Sequence, residues 1–306
     1  MGKPEMTTEQ DTLSFQGQRH PLMYIDQFFS LEDYCLRLMH LSAYEEASKR
    51  AHGKRVLEIG CNTGYGTKIL SQICSEIVGV DLSANALQVA AERYAGDNIE
   101  YLRIDGITLP FEDAAFDLVI SFQVIEHISN YETYLSELKR VLKPDGLVIF
   151  TTPNARVRLD PGMKPWNEFH VTEFSAEELR QLLCEWFPAV EILGLSASDE
   201  VYNVEYGRVQ RNLREARQKA AERLPSYGDV RARIINGAKT LLPDRAVEKV
   251  QKIVRSQRKE AAPPERKQLD AAVLDKYSTK DFFYRADNLD TVLDLMAICS
   301  NGKAQR

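Results

Sequence analysis

Residues 55–81 constrain this chain more than any other stretch. Val56-Leu57-Glu58-Ile59 is a strand-sized apolar run that leads into Gly60-Cys61-Asn62-Thr63-Gly64-Tyr65-Gly66. A second run, Val78-Gly79-Val80, ends in Asp81, 21 residues after Gly60. A strand, a glycine-rich turn, a helix and another strand open a βαβ unit. The glycines let the backbone turn sharply and come close to a ligand. A helix starting near Tyr65 aims its N-terminal amides at that ligand. Asp81 stands where a carboxylate accepts hydrogen bonds from a ribose diol. The pattern predicts a nucleoside-cofactor site.

The rest of the chain alternates in the same way. Strands are expected near 55–60, 77–81, 99–104, 116–122, 146–152 and 190–196, and helices near 65–74, 84–94, 130–141 and 175–186. Ser175 with Glu178 forms a capping box at the start of the last of these helices. An apolar helical stripe (Phe28, Leu31, Leu36, Leu38, Leu41, Tyr44) runs from Ile25 to Arg50. Alternation of this kind implies a doubly wound α/β fold whose ligands sit at the carboxyl ends of the strands. Gly60, Asp81, Asp105, Phe122 and Thr152 all fall at that edge.

The glycine spacing decides between cofactors. The dinucleotide fingerprint G-x-G-x-x-G is absent. Glu58-x-Gly60-x-x-x-Gly64-x-Gly66 instead resembles the first motif of the class I S-adenosylmethionine-dependent methyltransferases. The resemblance continues in order through Asp81, Ile104-Asp105-Gly106, Phe116 to Phe122, Gln123-Val124-Ile125-Glu126-His127-Ile128, and Leu142-Lys143-Pro144-Asp145-Gly146. It implies a seven-stranded Rossmann-like sheet, mostly parallel with the last strand antiparallel, and S-adenosyl-L-methionine as cofactor, with S-adenosyl-L-homocysteine as product. It assigns cofactor contacts to Glu58, Gly60, Cys61, Asn62, Gly64, Asp81, Leu82, Asp105, Gly106, Phe122 and Gln123. Asp81 would hold the ribose and Asp105 the adenine amino group. Glu58 would either brace the glycine loop or hold the methionine end.

The family's last two strands are usually joined by a short hairpin. Here about 90 residues follow Val190 to Leu195 before Leu289 to Cys299 can supply the final strand. Helical patterns fill the gap near 203–224, 229–241 and 244–260. The expected division is a tail and capping helix at 1–50, the core at 51–199, a helical insertion at 200–280 and a return to the core at 281–306. Residues 207–267 hold 17 Lys or Arg against 7 Asp or Glu, a net of +10, in a chain of net −6. That face is either solvated or suited to a phosphorylated substrate, an anionic membrane surface or nucleic acid. Tyr227 is its one aromatic, which argues against base stacking.

Other function classes are narrowed by composition. No apolar run reaches the length of a membrane span. The first ten residues are polar, unlike a signal peptide. Five scattered cysteines (Cys35, Cys61, Cys74, Cys184, Cys299) without a C-x-x-C pair suit reduced thiols in a cytoplasm, and no metal site is expected.

The sulfonium methyl is already activated, so orientation carries much of the rate. An alcohol or phenol acceptor also needs a base. His127 follows the fourth strand. His170 lies in Asn167-Glu168-Phe169-His170-Val171-Thr172-Glu173-Phe174-Ser175. With Thr152-Pro153-Asn154, this segment is similar to bacterial methyltransferases of sugars, glycans and natural products. That resemblance implies a small-molecule, sugar or glycan acceptor, free, phosphorylated or lipid-linked, methylated on a hydroxyl with His170 or His127 as base. N-methylation, or a catalytically inactive S-adenosylmethionine-binding regulator, are the alternatives.

Overall fold

The computed structural model describes residues 22–23, 28–223 and 269–302. One eight-stranded sheet organises them, in the order β3-β2-β1-β4-β5-β8-β6-β7. The strands are β1 (Arg55–Ile59), β2 (Glu76–Asp81), β3 (Ile99–Arg103), β4 (Phe116–Phe122), β5 (Leu142–Pro153), β6 (Ala189–Ala197), β7 (Phe282–Arg285) and β8 (Asp294–Ser300). Strands β3, β2, β1, β4 and β5 pair in parallel. β8 enters antiparallel between β5 and β6. The expected parallel core and antiparallel last strand are both present. The eighth strand, β7, was not expected. It adds to the outer edge of β6, Ala197 opposite Phe282, and buries Phe282 beneath it. The final strand begins at Asp294, because Leu289–Thr291 forms a 3-10 turn before it.

Strand alternation sends successive side chains to opposite faces. Leu57, Val119, Val148 and Phe150 pack on one side with Leu135, Leu138, Leu179 and Leu183. These last come from helices α4 (Tyr131–Val141) and α6 (Ala176–Cys184). Val56, Leu118, Ile120 and Ile149 pack on the other side with Ala43, Tyr44, Ala47 and Leu70, from α1 (Leu31–Ala51) and α2 (Tyr65–Ser71). Helix α3 (Ala84–Tyr94) follows β2, and the single turn α5 (Ala155–Arg158) follows β5. Leu57 is wholly buried, so trimming it to Ala should cost about 2–5 kcal/mol. The Ser175–Glu178 capping box is present at α6.

Lys143 to Gly146 lies in an irregular part of β5, where the register against β4 shifts between Phe116 and Leu118. Lys143 Nζ pairs with Asp117 at 2.8 Å, and Asp117 also accepts the Arg55 amide at 3.0 Å.

Helix α7 (Asp199–Arg223) follows β6 directly. A third apolar cluster joins Val201 to Cys35, Leu38 and Met39 of α1 and to Leu195 of β6. Its regularly spaced arginines meet acids: Arg208 pairs with Glu205, Arg211 with Glu32 and Arg217 with Asp160. Three charges of the basic stretch are thus spent on the protein's own carboxylates. The helices expected at 229–241 and 244–260 and the tail at 1–20 lie outside the described residues. Among the described residues no helix is long and apolar enough to cross a membrane.

Candidate active site

A cavity opens at the carboxyl ends of β1, β2 and β4. Gly60, Cys61, Asn62, Asp81, Leu82, Gly106, Phe122, Gln123 and His127 all line it, as the sequence suggested. Gly60 has φ 72°, and a Cβ there would stand 2.7 Å from Val124 Cγ2. Asn62 also takes a left-handed φ of 46°, which turns its amide to Asp81 Oδ2 at 2.9 Å. Ser83 N donates to Oδ1 of the same carboxylate at 2.8 Å. Each oxygen keeps lone-pair capacity for a ribose hydroxyl. Ile104, Ile107 and Leu109 give an apolar wall beside Gly106. Backbone that a side chain would obstruct, a carboxylate fixed by amides and an apolar slot fit an adenosyl group.

Three expected cofactor contacts do not line this cavity. Glu58 does not line the cavity; it is buried and accepts from Tyr44 Oη at 2.6 Å and from Thr67 Oγ1. Burial pushes its pKa up to about 7, although both hydrogen bonds pull the other way. Gly64, with φ 79°, is the N-cap of α2 and packs against Tyr101 and Ala90 rather than the cavity. Both residues shape the loop. Asp105 is exposed at the rim, where its Oδ1 accepts from Ile107 N at 2.9 Å and Thr108 N at 3.0 Å. Those amides hold its carboxyl below the usual range.

His170 is the clearest departure. Its Nδ1 donates to Glu173 Oε1 at 2.7 Å, and Asn167 Nδ2 donates to its Nε2 at 2.8 Å. Glu173 also holds Arg158 at 2.7 Å in a buried pair, and Arg158 lies 4.3 Å over the Trp166 ring. Burial alone would raise Glu173, but His170 and Arg158 outweigh it and keep the carboxyl low. The segment is a clamp: both imidazole nitrogens are engaged and the ring does not line the cavity. Sequence could not separate this role from catalysis, since both require a histidine near a carboxylate.

His127 is positioned differently. Its Nδ1 lies 2.8 Å from the Phe169 carbonyl, and donation there places the neutral ring's lone pair on Nε2. Glu126 beside it is fully buried, with Thr152 Oγ1 donating to Oε2 at 3.1 Å and, among the described residues, no hydrogen bond to Oε1. Burial pushes its pKa up to about 8. Ligand atoms of Glu126, His127 and His170 lie within 4.8 Å of one another, the one such group among the described residues. The Asn167 amide on His170 Nε2 competes with any ion there.

Several lining residues carried little sequence signal: Met23, Met39, His40, Thr151 and Asp294. Met23 N donates to Asn62 Oδ1 at 3.0 Å, so Met23 sits against the glycine loop. Tyr44 had one signal, a polar tip within an apolar helical stripe.

Residues 57–150 match the family described as "Methyltransferase domain". A protein of Mycobacterium tuberculosis named "Probable S-adenosylmethionine-dependent methyltransferase" is 35% identical over 54% of this chain and 60% of its own length. A "Fatty-acid O-methyltransferase" of Mycolicibacterium smegmatis is 32% identical over 42% of this chain and 46% of its own. The chain therefore spans less than two thirds of these relatives. Among solved structures, the "[4+2]-Cyclase SpnF" superposes with a TM-score of 0.53 over 96% of this chain and 97% of its own, at 18% identity, a likeness of fold. The match, the glycine loop and a sheet of this topology make residues 57–150 a methyltransferase domain of the class I S-adenosylmethionine-dependent type, whose cofactor is S-adenosylmethionine.

Proposed function

We propose that the protein transfers the methyl group of S-adenosylmethionine to a hydroxyl of a small-molecule acceptor, with His127 as general base. The observation that carries this is one cavity lined by Gly60, Asp81 and His127 together. The cofactor supplies an electrophilic methyl group. Asp81 would hold its nucleoside end at the ribose, and the apolar wall at Ile104 and Leu109 would exclude water. The Phe169 carbonyl orients His127, and Nε2 takes the proton as the acceptor oxygen attacks. An O-methyltransferase among the relatives supports oxygen as the nucleophile. Sugar, glycan and lipid-linked acceptors remain within this class.

The test is calorimetry with S-adenosylmethionine, followed by labelled methyl transfer to a panel of alcohols, phenols and amines. Cofactor binding with transfer to oxygen, lost in His127→Ala, is the expected result. No binding at millimolar cofactor overturns the proposal. Binding with no transfer to any acceptor favours a regulatory protein.

A further inference from the structure

One carboxylate in the cavity stands well away from the cofactor loop. Asp294 is the first residue of β8 and lines the same cavity as Asp81 and His127. In the order β1-β4-β5-β8, it is three strands from Gly60, roughly 14 Å at about 4.8 Å per strand. The nucleoside end of the cofactor, tied to the β1 and β2 tips, does not account for it.

Gln123 fixes this carboxylate. Its φ is 57°, its main-chain N–H donates to Thr151 O at 2.9 Å, and its Nε2 donates to Asp294 Oδ2 at 2.7 Å. Nε2 also stands 3.3 Å from Thr151 Oγ1. A non-glycine residue in the left-handed region persists where its surroundings hold it, and such residues cluster at functional sites. Among the described residues Gln123 is the one hydrogen-bond donor to Asp294. The charged and titratable groups around it are Arg158 and Arg208, which favour the ionised form, Glu205 and Glu126, which oppose it, and Tyr284. His127 shares the cavity. Burial is the largest influence and pushes the Asp294 pKa up to about 7. An acceptor group that meets this oxygen gains by donating a hydrogen bond and loses by carrying negative charge. Met39, Ala43, Phe122 and Phe169 give the same cavity apolar surface.

We propose that Asp294 recognises the acceptor, taking a hydrogen bond from a second hydroxyl of an apolar-bodied polyol and turning carboxylate acceptors away. The inference rests on the methyl-transfer reading above. In it, the reacting hydroxyl gives its proton to His127 while a neighbouring hydroxyl is held by Asp294.

The test uses the full chain saturated with S-adenosylhomocysteine and two matched probes, 1,2-octanediol and 2-hydroxyoctanoate. They differ only in the group offered to Asp294. Calorimetry at about pH 8 should find the diol bound about tenfold tighter or more. Asp294→Asn keeps an oxygen for Gln123, so cofactor-product affinity should hold while the preference collapses. Lowering the pH to about 6 neutralises Asp294 and should tighten 2-hydroxyoctanoate in the parent protein but not in the variant. A pH slope that persists in Asp294→Asn belongs to another group of the site, such as Glu126 or His127, and overturns the assignment. Equal affinities at the higher pH, binding of neither probe, or an unchanged preference in the variant also overturn it. Failure of S-adenosylhomocysteine to bind is a separate result that removes the methyl-transfer reading beneath it.

Discussion

The hydroxyl of Tyr44 donates to Oε1 of Glu58 at 2.6 Å, tying helix α1 to the strand that feeds the cofactor loop. The same ring fills the space over Gly66 that a Cβ would occupy. A residue outside the matched domain thus braces the loop from behind. Tyr44→Phe keeps the ring and removes one of two side-chain donors to a buried carboxyl. It should lower stability by about 1–3 kcal/mol and weaken S-adenosylmethionine binding without any contact to the cofactor. Chemical denaturation and calorimetry on the same preparation check both. Unchanged affinity would show that the loop holds its shape without α1.

Asp81→Ala removes the proposed ribose acceptor and strands two amides, Asn62 N and Ser83 N. Cofactor affinity should fall by about 1–3 kcal/mol. A dissociation constant equal to the parent's would contradict the assignment.

His127 and His170 should respond in opposite ways. His127→Ala should reduce turnover by about 10²–10⁴-fold, with S-adenosylmethionine affinity near the parent value. His170→Ala leaves Glu173 without one of its partners and breaks the bond from Asn167. It should lower the melting temperature and expose the 167–175 segment to proteolysis. If His170→Ala instead abolished turnover in a fully stable protein, the clamp reading would be wrong.

Two glycines with nearly the same φ separate strain from crowding. Gly162, at φ 77°, has nothing within 4 Å of an added Cβ, so Gly162→Ala should cost only about 1–2 kcal/mol of left-handed strain. At Gly64, with φ 79°, the Cβ would stand 2.5 Å from Tyr101 Oη and 2.7 Å from Ala90 Cβ. Gly64→Ala should cost clearly more and disorder the start of α2. Equal losses in denaturation would mean that the crowding is relieved by movement of Tyr101.

The buried acids set the sign of the pH dependence. Burial raises Glu58 and Asp294 to about 7 and Glu126 to about 8, against unfolded values near 4. The native state then binds more protons than the unfolded chain across that window. Stability from this source is complete below about pH 4 and is lost progressively up to about pH 8. Glu126→Gln should flatten the slope and make the protein more stable than the parent at the alkaline end. Denaturation midpoints across the range test this; a parent protein that gains stability up to pH 8 would refute it.

Where local chemistry and tertiary geometry coincide, the sequence was readable. The glycine loop, Asp81 and the alternating strands are consecutive residues whose spacing fixes their place in the sheet. Ser175 with Glu178 is a four-residue box and forms as written. Asp294 was illegible because its meaning comes from Gln123, just past the end of β4 and far away in sequence. His170 was legible as a histidine near the site, a candidate base, but not as the partner of Glu173, since that buried pairing depends on how the segment packs with Arg158. The role of Arg211 depends on Glu32 in α1, a pairing that no spacing rule connects.

The place of β8 bears on how the protein is made. It lies between β5 and β6, yet residues 198–293 separate it from β6 in the chain. During synthesis both flanking strands emerge from the ribosome long before the strand that joins them. Until then β5 and β6 each present an unpaired, apolar edge, the kind of surface on which nascent chains associate wrongly. Helix α7 is translated directly after β6 and already has a docking face on α1 through Val201 and Arg211. It can hold the two halves of the gap near each other while the closing strand is still being read.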